Sequence, residues 1–153
     1  MNKIVPGLLI AASFFYTSCS DEYTICESPV NVSLNAGFYK NIAGTDSVAT
    51  PASFSVSVLN GAAILTNASN RNGFFASLNP ATDTSRFVIT IEGTTDTFKV
   101  AYSTQVQNVS VNCGDVNIYT LSAVSSTRHA IDSIKIVNPA VNTALPQNIR
   151  IFY

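Results

Sequence analysis

The sequence predicts an all-β domain built as a two-sheet antiparallel sandwich, and three observations carry that expectation. Apolar and small polar residues alternate with period two through most of the chain, the pattern of a pleated sheet with one buried face. About eight or nine such rows recur at intervals of roughly a dozen residues, separated by Asn, Gly and Asp turns, as packed antiparallel sheets require. Charged residues are only 11% of the chain against 46% hydrophobic, which supplies enough apolar material for a core and argues against disorder.

Taken in order, Val30, Val32, Leu34, Ala36 and Phe38 alternate with Asn31, Ser33, Asn35 and Gly37. Phe54, Val56 and Val58 alternate with Ser53, Ser55 and Ser57, and Ile64-Leu65 and Phe74-Phe75 mark short edge strands. Phe87, Ile89 and Ile91 form the next row, after which Gly93-Thr94-Thr95-Asp96 turns the chain into Phe98, Val100 and Tyr102, a hairpin pattern. Val109, Val111 and Cys113 end at Gly114, and Ile118 to Leu121 resumes. Ile134 and Ile136, then Ile149 and Ile151, complete the set across a loop from Pro139 to Pro146. Strands of this number and spacing lead to an immunoglobulin-like sandwich over residues 29–153. A membrane barrel is the competing closed form, but its strands run to about 9–11 residues with aromatic girdles, whereas these rows are shorter and the chain has no Trp.

The N-terminus has a different grammar. Lys3 supplies a positive charge, and Ile4 to Tyr16 is an uncharged apolar run of about 13 residues, short of the ~20 that cross a bilayer as a helix. This is the layout of a signal peptide. Tyr16-Thr17-Ser18-Cys19 at its end resembles the lipobox of a bacterial lipoprotein, with Tyr16 where Leu is usual. The resemblance implies removal of residues 1–18 and acylation of the Cys19 sulfur. An ordinary secretory cleavage after Ser18, with Cys19 incidental, is the other reading. Residues 19–28 then form a linker that opens with Ser20-Asp21-Glu22. Those residues resemble the acidic export signal that Bacteroidota-type lipoproteins carry behind the acylated Cys to reach the outer face of the outer membrane. A solvated linker start is the alternative.

Without residues 1–18 the chain keeps 8 − 1 = 7 basic and 9 acidic residues, a net charge of −2 that offers nothing to nucleic acid. The remaining length, about 135 residues, is that of one domain. With Cys19 taken by lipid, Cys26 and Cys113 remain as an even pair in an exported chain, the arithmetic of one disulfide; two free thiols are the alternative.

The order Cys26, a strand-rich middle, Cys113-Gly114, Ile131-Asp132-Ser133-Ile134 and a closing Asn148-Ile149-Arg150-Ile151-Phe152-Tyr153 resembles a domain-of-unknown-function family of small Bacteroidota lipoproteins. That resemblance implies the fold and the location and carries no catalytic residue. Asp46-Ser47-Val48 and Asp132-Ser133-Ile134 also resemble the protein O-glycosylation acceptor of the same bacterial group. Ser47, in a polar stretch from Gly44 to Thr50, is the candidate; Ser133 reads as a strand residue.

The motifs of chemistry are missing. The chain has no phosphate loop, nucleophile elbow, H-E-x-x-H helix or C-x-x-C pair. His129, the single histidine, sits beside Arg128 in a polar stretch and reads as an exposed loop residue. Asp83, Glu92, Asp96, Asp115 and Asp132 are separated by strands or turns, whereas acid–base work needs two carboxylates that converge. No enzyme, cofactor or metal site is expected.

The functional expectation is a lipid-anchored outer-membrane lipoprotein displaying a non-catalytic binding or adhesion domain at the cell surface, toward an envelope protein or a glycan. The alternative is a periplasm-facing accessory lipoprotein docked on another envelope protein. Exposed aromatics would separate these, and Tyr39, Phe75 and Phe152 are the candidates, with burial against a second layer or a sheet end as their ordinary explanation.

Overall fold

The computed structural model describes Cys26 and residues 30–153, and the described chain is all β. The expected lipidation at Cys19, the export signal Ser20-Asp21-Glu22 and the cleaved residues 1–18 lie outside the described residues, as does the linker apart from Cys26. In chain order the strands are β1 (Leu34–Ile42), β2 (Thr45–Val48), β3 (Phe54–Val58), β4 (Ala63–Ala68), β5 (Gly73–Ala76), β6 (Thr84–Ile91), β7 (Thr94–Ser110), β8 (Gly114–Ser126), β9 (Ser133–Ile136), β10 (Ala140–Val141) and β11 (Ile149–Phe152). They form two sheets. One has five strands in the order β2-β1-β11-β9, with β5 beside β2 on the same edge of β1; the other has six, β10-β8-β7-β6-β3-β4.

Period-two patterning explains both sheets. Leu34, Ala36 and Phe38 of β1 and Ile149 and Ile151 of β11 point inward, and so do Phe54, Val56, Phe87, Ile89, Phe98 and Val100 of the larger sheet; all are buried. Their rings interlock: Phe38 meets Phe54 at 4.8 Å between centroids and Phe74 at 5.9 Å, and Phe87 stacks on Phe98 at 5.0 Å. Such contacts add about 0.5–1.5 kcal/mol per pair beyond area burial. Among the described residues one ladder is parallel, and it joins β1 to β11, with Phe38 opposite Ile151 and Tyr39 opposite Phe152.

Four details depart from the sequence expectation. The polar stretch around Ser47 is not a loop: Thr45–Val48 pairs with the end of β1, placing Ser47, half-buried, opposite Lys40. The turn after Ile91 is Glu92-Gly93, both with positive φ (49° and 88°), as a two-residue hairpin turn whose twist suits the strands requires; Thr94 to Asp96 already belong to β7. The rows at Phe98 and Val109 are one strand of 17 residues, because β7 and β8 run on past the body of the sheet as a two-stranded arm. Inside the proline loop, Ala140–Val141 adds to β8, held by the buried Asn148, whose Nδ2 donates to the Ala140 carbonyl at 2.8 Å and whose Oδ1 accepts from Asn35 N at 2.9 Å.

Gly73 shows how closely β5 approaches β1. It faces Gly37 in the ladder, and a Cβ there would collide with the Ala36 carbonyl, with Gly37 Cα 3.2 Å away. These are backbone atoms of a strand paired on both sides, so they cannot yield as a side-chain tip would. Gly73→Ala should therefore cost about 1–3 kcal/mol, read as a lowered urea midpoint with an unchanged m-value; a midpoint equal to wild type would show that β5 shifts freely.

Candidate functional site

Both ends of the sandwich are closed by polar side chains on inward positions. At one end, where β7 leaves its pairing with β6, the Tyr102 hydroxyl lies 2.7 Å from Ser85 Oγ and donates to the Asn79 carbonyl at 2.9 Å. The neighbouring Tyr119 hydroxyl reaches the Leu78 carbonyl at 3.2 Å, and burial, then Tyr102, raises the Tyr119 pKa. At the other end Asp96, on the inward side of β7, is fully covered. Its carboxylate accepts the Thr127 hydroxyl, the backbone N–H groups of His129, Ala130 (2.7 Å) and Ile131 (2.9 Å), and lies 2.8 Å from His129 Nδ1. Burial pushes its pKa up, but hydrogen bonds from Thr127, then Ile131, Ala130 and His129, outweigh that and hold it far below the usual carboxylate range.

His129 is thus an exposed loop residue, as its sequence context implies, yet it meets a carboxylate that the sequence reading kept apart from it. The arrangement holds a loop: Asp96 is already bonded to three backbone donors, so it closes the 127–131 segment over the core. Asp83, Glu92, Asp115 and Asp132 do not converge on it. Among the described residues no group of three or more His, Cys, Asp or Glu could hold a metal ion.

Cys26 and Cys113 are joined by a disulfide. Cys113 sits in the turn between β7 and β8, at the tip of the arm, where Val111 is 97% exposed and Val106 69%. The bond therefore ties the N-terminal segment to the far end of the longest hairpin.

The outward face of the five-stranded sheet carries the strongest concentration of chemistry. Parallel pairing places Tyr39 beside Phe152 with centroids 5.9 Å apart. Arg150 Cζ lies 4.6 Å from the Tyr39 ring and Lys135 Nζ 4.7 Å from the Phe152 ring. Tyr39 and Phe152 are consequently only 8% and 5% exposed despite facing outward. The Arg150 guanidinium and the Lys135 ammonium lie over these rings, and the Tyr39 hydroxyl donates to Gln147 Oε1 at 2.9 Å. Phe75, 52% exposed, is not covered. Asp46 accepts from Asn41 Nδ2 at 3.0 Å and stands 3.5 Å from Arg150 and 3.8 Å from Lys135. At the upper rim, Lys40 Nζ sits 4.8 Å over the Tyr153 ring; burial, then Glu92, raises that tyrosine's pKa. Lys40 and Lys135 flank a cleft of about 430 Å³ floored by Phe152 and Tyr153. Outward parity of Tyr39, Arg150 and Phe152 was the available signal; the pairing of the first strand with the last, which assembles them, leaves no local trace.

Fold and site together define an all-β, disulfide-linked two-sheet domain with a cation–aromatic outer face. Residues 53–153 match a family of unknown function, DUF6452, and the chain belongs to that family. The matched stretch holds β3 to β11, so Tyr39, Lys40 and Asp46 on β1 and β2 come from outside it. No curated protein and no solved structure matches the chain.

Proposed function

We infer that the protein is an exported Bacteroidota-type lipoprotein, anchored to the outer membrane through lipid on Cys19, whose immunoglobulin-like sandwich is a non-catalytic binding domain at the cell surface. The observation that carries this reading is the Cys26–Cys113 disulfide. It supports passage through an oxidising compartment, and it gives the anchor a definite relation to the fold. Cys26 lies seven positions after Cys19, so an anchor at Cys19 would hold the tip of the β7–β8 arm within about 25 Å of the bilayer. The cleft lies at the opposite end: Asp96, near the start of β7, binds the 127–131 segment, and Asp132 N next donates to the Phe152 carbonyl at 2.8 Å. From Asp96 to Ser110, β7 spans roughly 45 Å at about 3.4 Å per residue, so the cleft lies at the end of the sheets away from the Cys26–Cys113 bond. Ser47 remains the candidate glycan acceptor, now on an edge strand; an intact mass equal to lipid plus peptide would remove it.

Two variants test the anchor and its address. Cys19→Ala should leave the detergent phase on phase partitioning, while the wild-type chain stays in it; equal partitioning eliminates the lipid. Asp21→Ala with Glu22→Ala should keep the lipid but abolish protease access on intact cells. A wild-type domain inaccessible until cells are permeabilised would replace surface display with the periplasm-facing accessory role.

A further inference from the structure

We propose that the outer face of the six-stranded sheet holds a phosphate-monoester dianion between Arg86 and Lys99; this rests on the binding-domain reading and names a ligand for it. Outside the arm, the strands of that sheet carry three charged residues: Asp96, buried on the inner side, and the exposed Arg86 and Lys99. The antiparallel register sets Arg86 of β6 directly opposite Lys99 of β7. Their side chains therefore leave the same face, with Cβ atoms about 4.5–5.5 Å apart, a relation in which like charges repel and weaken a sheet. The ion pairs among the described residues involve Asp96 and Asp46 instead. Nor do the acids at the ends of β6 relieve the pair. Asp83, before it, stands beside the buried Tyr102, whose N–H donates to the Asp83 carbonyl at 2.9 Å, and Glu92, after it, accepts from Ala52 N at 3.0 Å. An anion seated between the two cations is attracted by both and removes their repulsion.

The pair is the centre of a row that crosses four strands. Leu59 N, just past β3, donates to the Arg86 carbonyl at 2.9 Å, and Lys99 faces Ser125 on β8, so Leu59, Arg86, Lys99 and Ser125 follow one another at about 4.8 Å. With Thr97 and Thr127 they line a shallow hollow of about 330 Å³. The guanidinium offers a planar fork to two oxygens and the ammonium a point charge to a third, with the Ser125 hydroxyl on the lysine side. A phosphate monoester brings about −1.5 to −2 charge and three acceptor oxygens at neutral pH, which matches two adjacent cations; a carboxylate brings one charge and two oxygens. The ring in the lining, Phe98, is 1% exposed, so a sugar or a base would find no face to stack on.

The test is the thermal midpoint and calorimetric titration of the purified full chain in detergent, with inorganic phosphate or with phosphatidic acid in mixed micelles, against sodium chloride at matched ionic strength. A ligand that binds the folded state raises the midpoint, and phosphate at about 10 mM should raise that of wild type by about 2–4 °C beyond the chloride control. Arg86→Ala and Lys99→Ala should each weaken binding about tenfold and abolish the shift. Both residues are exposed and repel each other, so the ligand-free variants should melt at or above wild type, which separates lost binding from lost folding. Lys135→Ala, beside Asp46 on the other sheet, should keep the full shift. Whichever of free phosphate and lipid headgroup binds more tightly through both cations is the source of the group. The proposal is overturned if chloride shifts wild type as much as phosphate does, if the Arg86 or Lys99 variants respond as wild type, or if Lys135→Ala loses as much as they do. None of these outcomes depends on Cys19 or on the side of the membrane that the domain faces, so the anchor reading stands or falls separately by partitioning and protease access.

Discussion

Asp96→Ala is expected to lose about 3–5 kcal/mol of folding stability. The carboxylate is fully covered, and truncation strands its donors. Ile131, 1% exposed, belongs to the core, so its N–H cannot turn to water, and Ala130 N loses a bond of 2.7 Å. Each buried donor left without a partner costs about 1–3 kcal/mol, and the 127–131 segment that covers the core would come loose with it. Asp96→Asn keeps the shape but sets an amide NH₂ against N–H donors, and should cost roughly half as much. The pH dependence follows from the sign of the shift. A carboxyl whose folded pKa is depressed contributes stability that is complete above its unfolded value, about 3.9, and is lost as pH falls through the folded value. Wild-type stability should thus drop by roughly 1 kcal/mol from this group between pH 6 and pH 3, a loss missing in Asp96→Asn. Urea titrations of both proteins at the two pH values measure it; identical pH slopes would mean that folding does not depress the Asp96 pKa.

How far this group was legible in the sequence is instructive. Asp96 shares the parity of Phe98, Val100 and Tyr102, and a carboxylate on the inward side of a strand has to find donors. The signal was present, but it names no partner, and the turn assigned to residues 93–96 hid the parity. The strands with apolar alternation, around Phe54, Phe87, Phe98 and Ile149, were legible because burial of one face writes itself into every second residue. Thr45–Val48 was not, since an edge strand with both faces half wet needs no apolar row. Neither was the continuity of β7: beyond Thr104 the arm leaves the body, Gln105, Gln107 and Asn108 replace the alternation, and pairing with β8 alone sustains the strand. The cation–aromatic face was legible only as separate outward residues, because the ladder that assembles it joins positions more than a hundred apart.

Removing the disulfide is expected to have the other large effect, and of a different kind. Cys26 and Cys113 are 87 positions apart, and cross-linking a loop of that length restricts the unfolded chain by about 4.5 kcal/mol in the chain-entropy treatment. Cys26→Ser with Cys113→Ser should approach that loss, less whatever freedom the N-terminal segment and the arm regain in the folded state. Both joined segments lie at the periphery: Cys113 is beyond the last β7–β8 pair, and the core residues from Leu34 to Ile151 do not depend on it for packing. The variant should therefore keep the wild-type sheet content and near-ultraviolet signal while its unfolding midpoint falls. Hydrogen exchange should quicken in the arm beyond Thr104 and before Leu34, with the β3, β6 and β7 core changed only by the fall in global stability. A midpoint within error of wild type would show that the bond restricts the unfolded chain little. Loss of the near-ultraviolet signal would place the disulfide inside the cooperative core, against the peripheral position it holds here.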